Sequence, residues 1–249
     1  MIIYFAPRMP LKTLFGPPIS TFWGEKFLHY PLNFILMPKL AGISRMCLSV
    51  LFGSLLTGLA VLIIYDLYQG KTIKLKNDFW AALKNYASLF IIVLVFTSLF
   101  YFFSKIFSII LIKYFTAGHT KLLFLGIKFW LGPAFITLNF IFGIFIQSAF
   151  VYAIPILFVE KAKLLTAISR SLRLFKKHFV YTTTLVGLPF LLYLPIMALN
   201  ANTSLLISKT FPEFILIVSI IGIAIASLVI DPLITLSTML FYLDTKEKK

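Results

Sequence analysis

Long uncharged apolar runs alternate along this chain with short stretches whose polar and apolar residues recur at helical spacing. The first clear run, Met46 to Tyr65, is 20 residues without a charge and ends at Asp66 and the turn-forming Tyr68-Gln69-Gly70-Lys71. A second, Ala87 to Phe103, continues past Lys105 towards the break at Ala117-Gly118-His119-Thr120. From Lys121 to Lys161 the apolar stretch is too long for one perpendicular helix, about 55 Å or more against a hydrocarbon core of about 30 Å. Gly132-Pro133 is the natural break, leaving Ala134 to Val159 as a third span and Leu122 to Trp130 as an interfacial approach. Phe179 to Leu199 makes a fourth, kinked by Pro189 and Pro195, and Phe214 to Tyr242 a fifth, interrupted by Asp231-Pro232. The pattern predicts an all-α, polytopic transmembrane helix bundle of about five spans.

Two amphipathic segments sit between these runs, 85 residues apart: NDFWAALKNYASLF (Asn77 to Phe90) and AKLLTAISRSLRLF (Ala162 to Phe175). At 100° per residue, Phe79, Trp80, Leu83, Tyr86, Ala87 and Phe90 share one arc. Leu164, Leu165, Ile168, Ser171, Leu172 and Phe175 share the matching arc of the second copy. Its opposite arc holds Lys163, Thr166, Ser169, Arg170, Arg173, Lys176 and Lys177, as a helix lying at a water boundary requires. Gly58 and Gly143 fall at the same offset. Two units of span, interfacial helix and span, both helices on one side, make a parallel repeat with halves at 46–104 and 131–199 and a final span at 214–242.

Residues 1–45 form a separate proline-rich segment. Six of the twelve prolines lie in the first 38 residues, so no uninterrupted helix of about 20 residues fits there. The opening MIIYFAPRMP lacks a basic start, a clean apolar core and a small-residue cleavage site, unlike a signal peptide. Interfacial or re-entrant packing is expected, with Phe27 to Leu40 touching the membrane.

Composition fixes the class. At 60% apolar, 12% charged and a mean hydropathy of +0.99, there is too little polar surface to cover a soluble fold of this length. The net charge of +15 could suggest nucleic acid, yet the basic residues are spread over short segments with no soluble domain to carry them. Anionic lipid headgroups are the expected partner, at roughly 1 kcal/mol per Lys or Arg near an anionic leaflet. Lys163, Arg170, Arg173, Lys176 and Lys177 are the candidate headgroup contacts; a positive-inside topology signal explains the same residues. The stretches 71–84 and 161–177 around the amphipathic segments and the C-terminal tail together hold 13 of the 23 basic residues. In the second half the bias is nine to one, which places the C-terminus in the cytoplasm and the N-terminal region outside or embedded.

Candidate chemistry is sparse. Strongly polar residues within or at the ends of the runs are Asn139, Gln147, Glu160 and Asp231, and an intramembrane acid is a functional-site hypothesis by default. Asp231 is the foremost, although preceding Pro232 it could simply cap a new helical segment near the interface. His29, His119 and His178 are far apart in sequence, so no metal is expected, and no cofactor. Phosphate loops, nucleophile elbows and useful acid pairs are missing, so no enzyme activity is expected. Cys47 reads as a small buried side chain, and Asn202-Thr203-Ser204 fits a weak glycosylation pattern. The small residues Gly53, Gly58, Gly143 and Ala149 suit close helix contacts.

The stretch Ala153 to Phe179 resembles a signature of a broad bacterial group of polytopic proteins, the membrane domain found beside glycerophosphodiester phosphodiesterases and its free-standing relatives. A span ends in a proline and an acid, here Pro155 and Glu160, and an Ala, Ser, Arg, Leu pattern follows, here Ala167, Ser171, Arg173 and Leu174. The closing DPLITLSTMLFYLDTKEKK is similar to the group's ending, through Pro232, Tyr242, Asp244 and Lys246. The resemblance covers about Met46 to Lys249. The proline-rich first 45 residues depart from the ordinary first span of the group, and no catalytic domain is attached. It implies a membrane fold in a bacterial inner membrane, not a reaction.

Two functions are therefore expected to compete. One is a non-enzymatic membrane protein that organises or senses the inner leaflet, or scaffolds a membrane-protein partner, through its basic helices. The other is a transporter or lipid-handling protein with a cavity between the repeats, lined by Asp231, Glu160, Gln147 and Asn139.

Overall fold

The computed structural model describes residues 11–29, 32–116, 124–202, 206–207 and 209–247, all of the regular structure among them helical. The first ten residues, the expected break at Ala117-Gly118-His119-Thr120 and the Thr203-Ser204 half of the glycosylation pattern lie outside the described residues. In chain order the helices are α1 (Leu11–Phe22), α2 (Asn33–Leu48), α3 (Ser54–Tyr68), α4 (Leu75–Lys84), α5 (Tyr86–Thr116), α6 (Phe124–Phe150) and α7 (Ala153–Val159). They continue with α8 (Leu164–Lys177), α9 (Phe179–Leu191), α10 (Leu194–Ala201), α11 (Phe214–Ile225) and α12 (Asp231–Glu247). Turns of π-helix at Ser49–Gly53 and Ala226–Ile230 join α2 to α3 and α11 to α12 without interrupting either rod.

This is a multi-pass membrane protein. Among the described residues four helical stretches are long and apolar enough to cross a bilayer: Gly42–Tyr68, Tyr86–Ile110, Phe135–Val159 and Phe214–Glu247. The pair α9 and α10, bent by 56° where Pro189 and Pro195 predict a kink, is a broken span that brings the number to five or a re-entrant loop that leaves it at four. Only 17% and 11% of the most apolar windows of the first two stretches are buried in the protein, so their side chains need lipid rather than water.

Three features differ from the sequence reading. α6 runs unbroken through Gly132-Pro133, and regular helix is interrupted instead at Val151-Tyr152, three residues before Pro155, within one continuous span. A single proline removes one backbone donor, which a membrane helix tolerates by kinking. The prolines of the N-terminal segment likewise leave helices intact, with Pro17 and Pro18 inside α1 and Pro38 inside α2. Cys47 is exposed on the surface of its apolar helix, not buried.

Several hydroxyl groups within the spans are satisfied by their own helices, because no water is there to do so. Thr57 donates to the Gly53 carbonyl at 2.8 Å, Thr97 to Val93 at 2.7 Å and Thr238 to Ile234 at 2.6 Å.

The chain divides into two compact units, Met1–Ser49 with Pro189–Pro232 and Val50–Leu188 with Leu233–Lys249. This groups the proline-rich N-terminus with α10 and α11. The passages from one unit to the other fall at the π turn that begins with Ser49 and at two prolines inside helices, Pro189 and Pro232. In the first unit α2 and α11 meet at Phe34 and Ile215, 0% and 1% exposed. Gly222 lets α10 approach α11 so closely that a Cβ there would lie 2.7 Å from Ile196 Cγ2. In the second unit Val61, Leu89, Ile92, Tyr152, Ile156, Met239 and Leu243 form the core. The Tyr152 hydroxyl and Thr182 Oγ1 share a buried 2.8 Å hydrogen bond across it.

Candidate functional site

Both amphipathic segments fold as short helices between spans of the second unit, and they use matching positions. In the first copy the helix stops at Asn85, so Tyr86, Ala87 and Phe90 begin α5 instead of continuing α4. Ala82 and Ala167, 85 residues apart, are both 0% exposed, since only a small side chain allows a surface helix to lie against the span ends. Trp80 and Leu165, at the same offset, are 60% and 79% exposed. Tyr86 and Ser171, again 85 apart, each donate a hydroxyl to a carbonyl of an earlier span, Leu51 at 2.9 Å and Ala149 at 2.8 Å. Those carbonyls lie in the π turn and beside the Val151-Tyr152 turn, where helix bonding is irregular.

On α8 the buried stripe is narrow, Ala167 and Ser171, and Leu165 and Leu172 remain exposed on its flank. Lys163, Arg170, Arg173, Lys176 and Lys177 are all exposed. Exposed leucines beside exposed cations on one helix match the hydrocarbon–headgroup boundary, where both are solvated. Among the described residues Arg170 alone of these five forms an ion pair, with Glu160.

Glu160 closes α7 and anchors this end of the unit. One carboxylate oxygen meets Arg170, and the other accepts from the Tyr242 hydroxyl at 2.7 Å. Tyr242 is 3% exposed, so its hydroxyl has little water to turn to. Three elements are thus tied at one end of the unit: the end of a span, the basic helix and the last turns of α12. Tyr68, at the end of α3, lies beside Glu247, which brings the preceding loop of α4 to the same end. Glu160 and Tyr242 each belong to one of the two sequence patterns quoted above, but their pairing across 82 residues carries no signal in either pattern.

Of the four intramembrane polar residues, Asn139, Gln147 and Glu160 belong to the second unit and Asp231 to the first. Asn139 donates to the Phe135 carbonyl of its own helix at 2.9 Å. Gln147 lies two turns further on and is half-buried, while Glu160 is committed to Arg170 and Tyr242. Asp231 belongs to the first unit, where it pairs with Arg45 at 3.6 Å. It is no cap: its φ of −62° and ψ of −44° are helical, and the rod runs straight through it from the π turn. The π turn, which sequence reasoning missed, replaces the expected helix start. Among the described residues no cluster of His, Cys, Asp or Glu is arranged to hold a metal ion.

No family model matches the chain, and neither a curated protein nor a solved structure shows significant similarity to it.

Proposed function

We propose that this is a non-enzymatic protein of a bacterial inner membrane that organises or senses the inner leaflet, or scaffolds a membrane partner there, by seating α8 among anionic headgroups. The observation that carries the reading is the composition of the α8 surface: five exposed cations, flanked by exposed Leu165 and Leu172, on a helix that buries only Ala167 and Ser171 in the protein. Four of those cations are outside any ion pair among the described residues. At roughly 1 kcal/mol each near an anionic leaflet, they favour an anionic over a neutral surface. The cytoplasmic side is assigned to this end by the same positive charge, together with that of the C-terminal tail. The joining of Glu160 to Tyr242 supports kinship with the membrane domain found beside glycerophosphodiester phosphodiesterases, because it gives the acid of one pattern and the tyrosine of the other a common structural purpose.

The test is lipid enrichment around the full chain. In nanodiscs of mixed phosphatidylglycerol and phosphatidylcholine, mass analysis of retained lipid should show phosphatidylglycerol enriched around the native protein. The enrichment should fall sharply in the Arg173→Gln, Lys176→Gln, Lys177→Gln variant. Equal retention by both proteins would sink the reading.

A second reading is favoured by the Arg45–Asp231 pair, opposite charges joined within the apolar stretches of the first unit. Charges at membrane depth are costly to keep, and transporters and lipid-handling proteins place them on a pathway. Here Asp231→Asn would abolish movement of a labelled lipid or solute in proteoliposomes with insertion unchanged, and an active mutant would exclude Asp231 from any pathway.

A further inference from the structure

The loop that joins α3 to α4 is built differently from the basic helix, and it carries charges of both signs. α3 ends in a Schellman motif: Lys71 N–H bonds the Asp66 carbonyl at 2.9 Å and Gly70 N–H the Leu67 carbonyl at 3.0 Å. Gly70 supplies the required left-handed backbone, with φ +65°. The turn folds the loop back over the start of α4 and leaves an open pocket of about 440 Å³ lined by Asp66, Lys71, Thr72, Lys74, Asn77 and Asp78. That volume lies within the range of small-ligand sites.

Asp78 is the informative member. It is 8% exposed, and its Oδ2 is buried without a hydrogen-bond partner. A buried carboxylate oxygen demands a donor, preferably a charged one. Among the described residues neither Asp66 nor Asp78 forms an ion pair, so the lysines of the pocket do not meet that demand. Lys71 instead holds its ammonium 5.6 Å from the centre of the Tyr65 ring. Lys74 is the N-cap of α4 and makes no side-chain cap, which leaves the positive end of that helix open at the pocket. The walls therefore offer an unmet acceptor for an ammonium and, beside it, cationic groups for an anion.

We propose that this pocket binds an aminoalkyl phosphate, a primary ammonium joined by a short linker to a phosphate, with the ammonium on Asp78 and the phosphate against Lys71, Lys74 and the first turn of α4. A primary ammonium is specified over a quaternary one because only N–H can hydrogen-bond the Asp78 carboxylate, which lines the pocket without an ion-pair partner among the described residues. The chemistry is shared by an ethanolamine-phospholipid headgroup and by soluble phosphoethanolamine. None of these residues lies on α8, so the site stands or falls separately from the anionic contact proposed above.

The experiment is native mass spectrometry of the full chain, delipidated in non-ionic detergent and titrated with phosphatidylethanolamine, phosphatidylcholine, phosphatidylglycerol and soluble phosphoethanolamine. Phosphatidylethanolamine should bind about tenfold more tightly than phosphatidylcholine, the loss expected when one charge-assisted hydrogen bond is forfeited. Asp78→Asn should erase that preference while leaving phosphatidylglycerol binding intact. Lys74→Gln, at an exposed position whose loss cannot unfold the core, should weaken phosphatidylethanolamine several-fold, and it carries the test if Asp78→Asn fails to fold. Competition by phosphoethanolamine identifies a soluble ligand, and lipid binding without competition identifies the lipid; either supports the site. Equal binding of the two zwitterionic lipids, or a preference that survives both substitutions, overturns it. So does binding of magnesium alone, abolished by Asp78→Asn, with no headgroup preference.

Discussion

Glu160 should be energetically coupled to Tyr242, and the size of the coupling follows from their burial. Glu160→Ala removes the acceptor of a tyrosine that is 3% exposed and the partner of Arg170, whose side chain is 53% exposed. Stranding the tyrosine hydroxyl costs about 1–2 kcal/mol. The half-exposed ion pair adds no more than about 1 kcal/mol, because solvent screens it. Tyr242→Phe removes the hydroxyl yet leaves the carboxylate with Arg170, for a loss of about 1 kcal/mol. In the double variant there is no hydroxyl left to strand, so it should be less destabilised than the two singles added together, by about 1–2 kcal/mol. Glu160→Gln, which keeps an acceptor, should cost less than Glu160→Ala. The assay is equilibrium unfolding by dodecyl sulfate in mixed micelles, followed by loss of helical circular dichroism. Additivity to within about 0.3 kcal/mol would refute the coupling.

Close packing gives a second contrast. A Cβ on Gly58 would lie 2.7 Å from Leu89 Cδ1 and 3.1 Å from Phe158 Cε2, whereas one on Gly42 meets nothing within 4 Å. Gly58→Ala should therefore destabilise by about 1–3 kcal/mol in the same unfolding assay, and Gly42→Ala should be neutral or stabilising. Lys161 turns the chain from α7 to α8 with φ +51°, so Lys161→Gly should stabilise by about 1 kcal/mol, read as a raised unfolding midpoint. Arg45→Asp and Asp231→Arg should each lower the yield of folded protein, and the double exchange should restore it, as measured by monodisperse peak area in detergent.

The large-scale architecture was legible because apolar runs of bilayer length have few alternatives. Met46 to Tyr65, Ala134 to Val159 and the kinked Phe179 to Leu199 lie within the helices observed. The second amphipathic arc lies on one helix as read, whereas the first is divided at Asn85 between α4 and α5. The residues most deeply buried, Ala82 and Ala167, lie outside both arcs as read, while Trp80 and Leu165 within them remain exposed. Proline was overweighted as a breaker at Pro133, because a helix in lipid has no competing water to solvate a broken backbone. The local partners of two residues grouped as a cavity lining were not legible. Asn139 bonds to its own helix and Glu160 to Arg170 and Tyr242, pairings set by tertiary contacts that no local pattern encodes. Asp78 escaped notice altogether: on a helix start it reads as an ordinary favourable charge, and only its burial marks it out.

Depth measurement addresses the place of α8 most directly. Spin labels are introduced singly at Leu165 and Arg173, with Cys47 replaced by serine, in the full chain in liposomes containing anionic lipid. Collisions with oxygen, which concentrates in hydrocarbon, are compared with collisions with a water-soluble nickel complex. Label 165 should favour oxygen and label 173 nickel, placing the helix along the boundary with its leucine flank down and its cations up. Two labels equally accessible to nickel, as on a helix lifted into water, would contradict it.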